Sequence, residues 1–85
     1  MSMVTEIISS VITAERQIDD QISKLQNYQK EIETVEQRVN AAFSGSTTEY
    51  GTNMIDKLSQ TKQQVSDTII RLQDAKEKLF KVRMI

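Results

Sequence analysis

Every seventh residue from Val4 to Val39 is apolar: Val4, Val11, Ile18, Leu25, Ile32 and Val39. Six heptads run without a break through a stretch that holds neither glycine nor proline. With Val4 lettered a, the d positions are Ile7, Ala14, Gln21, Tyr28, Val35 and Ala42, mostly apolar, and the e positions include Ile8, Ile22 and Phe43. A recurrence of this period places the side chains on one stripe of a long helix, whereas a strand alternates with a period of two.

The second half repeats the pattern. Leu58, Val65, Leu72 and Leu79 are seven apart, with Met54, Thr61, Thr68, Ala75 and Val82 at d and Ile55 and Ile69 beside them. The strong positions are symmetric about Gly45: Leu25 and Val65 lie twenty residues from it, Ile32 and Leu58 thirteen. The reflection predicts an all-α, coiled-coil-like antiparallel hairpin forming one domain over residues 1–85. Helix one is expected over about residues 3–43, the bend over about 44–47 and helix two over about 48–83.

A hairpin of two helices buries one seam, but both stripes spread into e. Ile8, Ile22, Ile55, Ile69 and Ile70 should therefore stay partly wet, and pairing with a second hairpin into a four-helix bundle is expected. The stripe expected to carry packing and partner binding is Val11, Ile18, Ile22, Leu25, Ile32 and Val39 on helix one, with Leu58, Val65, Ile69, Leu72 and Leu79 on helix two. Three seam positions are polar: Gln21, Thr61 and Thr68. They form either a tolerated wet layer or a device that fixes register.

Between the stripes lies AAFSGSTTEYG, residues 41–51, which holds both glycines of the chain. Gly45 suits the left-handed residue that often ends a helix. Ser46 and Glu49 have the spacing of a capping box, which starts helix two near Thr47; a second start is open at Thr52 or Asn53. Gly51 leaves a gap in the seam. Phe43 either folds into that gap as a plug, or joins Gly45 and Tyr50 in a bend feature that a partner reads.

Phe43-Ser44-Gly45 at the bend of such a hairpin resembles the W-x-G tripeptide of the WXG family, the small helical-hairpin proteins of type VII secretion. The similarity covers the whole chain in architecture, with Phe43 in the place of the tryptophan. It implies four-helix bundles formed with a second copy or with a larger partner, such as the helical domain of an exported LXG toxin of Gram-positive bacteria. The family's export signal, a tyrosine followed four residues later by an acidic residue after helix two, is missing. Tyr50 is followed at that distance by Met54, and the chain ends KLFKVRMI. The resemblance thus implies an accessory subunit that depends on its partner for part of the signal.

Other classes of function find no residues. The chain has no histidine and no cysteine, which removes the usual nucleophile–base pairs and the commonest transition-metal ligands. Asp19 and Asp20 fall at b and c, and Glu31, Glu33 and Glu36 at g, b and e, so they read as a solvated surface. No glycine-rich phosphate loop is present. No enzyme activity and no cofactor are expected.

With 11 basic and 12 acidic residues the balance does not point to nucleic acid. Lys76, Lys78, Lys81 and Arg83 complement the carboxyl end of a helix dipole, and membrane binding is not expected. The opening MSMVTEIISS carries Glu6 where a signal peptide needs a basic region. The expected location is cytoplasmic before any export, and export would proceed without a cleaved signal. The competing reading is an intracellular coiled-coil adaptor unconnected to secretion.

Overall fold

The computed structural model describes residues 2–43 and 49–84. Two helices fill it: α1, Met3–Ala42, and α2, Glu49–Arg83. They pack against each other as an antiparallel hairpin of 67 × 15 × 13 Å.

Helix α1 starts on a cap. Ser2 is extended (φ −85°, ψ 147°), and its hydroxyl accepts from the Thr5 amide at 3.3 Å. Glu6 in the first turn adds a favourable charge at the positive end of the helix dipole. The helix ends at Phe43, whose amide donates to the Val39 carbonyl at 3.0 Å. The proposed left-handed end at Gly45 and the Ser46 half of the capping box lie outside the described residues, as do Ser44 and Thr47. Glu49, the other half, is the first residue of α2.

The seam runs along a and e, not a and d. On α1 the inward side chains are Ile18, Ile22, Leu25, Ile32 and Val39 together with Glu15, Gln29 and Glu36. Ile32, Val65 and Ile69 form the buried cluster, with Ile22, Leu25 and Leu58 packed against it. Most of the d column turns outward, with Ile7, Tyr28 and Val35 52%, 47% and 40% exposed, while Ala14, Met54, Thr61 and Ala75 are half-buried. Of the isoleucines expected to stay partly wet, Ile8, Ile22 and Ile55 are half-buried and Ile70 is exposed; Ile69 is the correction, buried because the e column faces the seam. The expected polar layer at Gln21, Thr61 and Thr68 is not one either. Gln21 and Thr68 are exposed, and the Thr61 and Thr68 hydroxyls donate to the Lys57 and Gln64 carbonyls of their own helix.

The register also differs from a reflection about Gly45. Glu15 meets Arg83, halfway between which is 49; Gln29 meets Ser66, with its midpoint at 47.5; Glu36 meets Lys62, again at 49. Reflection about 45 would have set Glu15 against Ala75 and Glu36 against Met54. Moving the axis by half a heptad shifts the facing residues by a whole one, so apolar layers still meet apolar layers. The hydrophobic pattern therefore cannot distinguish the two registers. The charges can, because a carboxylate facing an apolar side chain in the seam loses solvation with nothing in return.

Candidate interaction surfaces

At the bend, the Phe43 ring lies over Gly51. A β-carbon built on Gly51 would stand 2.9 Å from Phe43 Cγ and 3.2 Å from both Cδ atoms, closer than packed carbons approach. Phe43 thus fills the gap that the glycine leaves, which answers the first of the two readings of this residue. Tyr50 lies outside the plug, its ring centroid 6.3 Å from that of Phe43 at an interplanar angle of 59°. It is 69% exposed. The structure therefore brings Phe43, Tyr50 and Gly51 together and gives them different jobs: one aromatic packs inward, the other faces water.

The apolar stripe expected to bind a partner is occupied within the hairpin. Ile32, Val39, Val65 and Ile69 are buried, and Val11, Ile18, Ile22, Leu25, Leu58, Leu72 and Leu79 are half-buried. Ile22, Leu25 and Leu58 pack against the buried cluster of Ile32, Val65 and Ile69, while Val11 and Leu79 line an open groove near the chain termini.

The two edges flanking the seam differ in chemistry. In an antiparallel pair with a and e inside, the b columns of both helices lie along one edge and the d columns along the other. The b edge is hydrogen-bonded and charged. Asp19 pairs with Lys76 at 2.8 Å, the Gln29 amide donates to Ser66 Oγ at 2.7 Å, and Ser59 Oγ donates to Glu36 at 3.4 Å. Within the seam, Arg83 Nε donates to Glu15 at 2.8 Å while its guanidinium stacks over Phe80 at 4.6 Å. Glu36 Oε1 is buried 3.0 Å from Lys62 Nζ without forming a hydrogen bond, so this contact is an ion pair of oblique geometry.

Glu36, expected on a solvated surface, instead sits half-buried against Lys62, while Asp19 stays exposed and pairs with Lys76 across the edge. Arg83, expected as a complement of the helix dipole, lies in the last turn of α2 and also reaches Glu15 of α1. The available signal was that Glu15, Gln29 and Glu36 share the e column with Ile8 and Ile22, and that Lys62, Lys76 and Arg83 share it with Ile55 and Ile69.

The d edge carries no charged residue on either helix. At the end holding the chain termini it opens into a groove of about 420 Å³ lined by Ile7, Val11, Ala14 and Leu79 and, from outside the d column, by Glu6. No group of acidic residues among the described residues could hold a metal ion. Nor is any described helix long and apolar enough to cross a membrane.

Compared with models of protein families, with curated proteins and with solved structures, the chain finds no match.

Proposed function

We propose that this chain is a non-catalytic interaction module: a helical hairpin that pairs through its side with other helices, forming a four-helix bundle. The observation that carries this reading is the imbalance between core and surface. No side chain among the described residues is fully buried, and the exposed area is 6667 Å². A compact protein of 9.7 kDa exposes roughly 5,100 Å². The excess is of the order that a specific protein interface removes from water.

The particular role we infer is that of a partner or targeting subunit for a larger exported effector in type VII secretion. Its support is the likeness to the WXG hairpins: two long arms and an aromatic at the bend, with Tyr50 free to be read by a partner. The test deletes this chain from its source cell and follows proteins recovered in the culture medium. Loss of one large protein from the medium, restored by the wild-type chain and not by Tyr50→Ala, supports the role. An unchanged set of exported proteins, with the chain held in an intracellular complex, would establish the adaptor reading instead.

A further inference from the structure

The d edge has a frame. Along each helix it is bordered on the outside by the g column, and this column holds five of the chain's eleven basic residues, Lys24, Arg38, Lys57, Arg71 and Lys78, against one acidic residue, Glu31. Lys78 is paired with Asp74 on its own helix. Lys24, Arg38, Lys57 and Arg71 make no ion pair among the described residues, whereas Lys62, Lys76 and Arg83 are all engaged with α1. The four unpaired cations stand level in twos: halfway between Lys24 and Arg71 is 47.5, as it is between Arg38 and Lys57, within the observed register. The two levels are fourteen residues apart, about 21 Å at 1.5 Å per residue. Between them lie the exposed Tyr28 and Val35, level with Thr68 and Thr61 of α2 in the observed register.

We propose that this face binds an amphipathic helical partner whose apolar ridge is flanked by acidic side chains, and that the partner is not a second copy of this chain. The proposal rests on the interaction-module reading and selects the occupant by charge. Two copies meeting through this face would set basic rail against basic rail, a like-charge arrangement that disfavours the pairing. Acidic flanks two heptads apart meet all four cations at once. The shape favours a helix over a lipid surface. The small side chains Thr61, Thr68 and Ala75 in the d column of α2 leave room for a third helix ridge to pack between the two helices, while a flat bilayer would touch only the crests.

The probe is the chain itself with inverted rails: Lys24→Glu, Arg38→Glu, Lys57→Glu and Arg71→Glu. All four positions are exposed, so the variant should retain the helicity of the wild type by circular dichroism. Sedimentation at low salt should find each chain monomeric alone and an equimolar mixture forming a 1:1 complex. Added salt should weaken that complex, and Val35→Glu in the wild type should weaken it at least about tenfold.

A stable wild-type dimer that Val35→Glu dissolves would make the second copy the occupant, overturning the charge argument and leaving the interaction-module reading intact. No complex in the mixture and no self-association would remove this face as a docking site. Binding to anionic phosphatidylserine vesicles, lost on inverting the rails and unaccompanied by the 1:1 complex, would replace the helix with a membrane. Should the inverted chain not fold, a four-heptad peptide with leucine at a and d and glutamate at e and g takes its place, against the same peptide with lysine. Equal binding of the two peptides would overturn the proposal. None of these results depends on the export assay.

Discussion

Phe43 stands where a side chain at position 51 would have to be, with its Cγ 2.9 Å from the point a β-carbon on Gly51 would occupy. The contact closes the bend end of the seam. It also links two residues that the heptad pattern assigns to different columns. The atom in the way is at the root of the phenylalanine side chain, so rotating its far end cannot relieve the clash.

Gly51→Ala should destabilise the hairpin by about 1–2 kcal/mol, because the clash outweighs the roughly 0.8–1 kcal/mol that alanine gains over glycine in a helix. In a Phe43→Ala background the sign should reverse, with Gly51→Ala stabilising by about 0.5–1 kcal/mol. Thermal unfolding of the four chains of this cycle checks both. Additive effects would show that the two residues do not meet.

Tyr50→Ala should change stability by less than about 0.5 kcal/mol, since the ring is mostly in water. Phe43→Ala should be felt in folding as well as in any partner interaction. Tyr50→Ala is therefore the cleaner probe of recognition at the bend, and parallel unfolding curves for it and the wild type would establish that it is clean.

Val65→Asp should unfold the hairpin by placing a carboxylate in the buried cluster, at a cost of several kcal/mol. Loss of helical circular dichroism is the readout. Such a variant cannot report on partner binding, because its target lies between the chain's own helices. Val35→Glu, on the outward d column, should keep the helicity within measurement error.

Lys62→Ala should cost about 1–2 kcal/mol. It leaves Glu36 half-buried without its cation, and Lys62 itself remains partly in water, which tempers the loss. Replacing Glu15, Glu36, Lys62 and Arg83 together by leucine should keep or raise the melting temperature yet loosen the register. Spin labels on Gln26 and Gln73 would then report a broadened distance distribution in place of a single narrow one. A narrow distribution at the wild-type distance would mean that something other than the charged layers sets the register.

The sequence by itself determined that this chain forms two long helices joined at a central bend. Heptads without glycine or proline over residues 4–39 and 54–82 allow no other regular structure, and both glycines fall in the short stretch between those runs. It did not determine which flank of each stripe turns inward. Counted by residue type the d column is the more apolar, eight of its eleven positions against five of eleven in e, so the count favours the flank that the fold leaves outside. A register shift of one heptad still sets apolar layers against apolar layers.

Those choices belong to the tertiary structure, where Glu15, Glu36, Lys62 and Arg83 must find one another across the seam. The pattern of carboxylates on one helix and cations on the other has meaning only after the helices are side by side. The same choice placed Phe43 on Gly51 and turned Ile7, Tyr28 and Val35 outward. The charge-free edge exists because the seam settled on the other side, where opposite charges could pair as the apolar core closed.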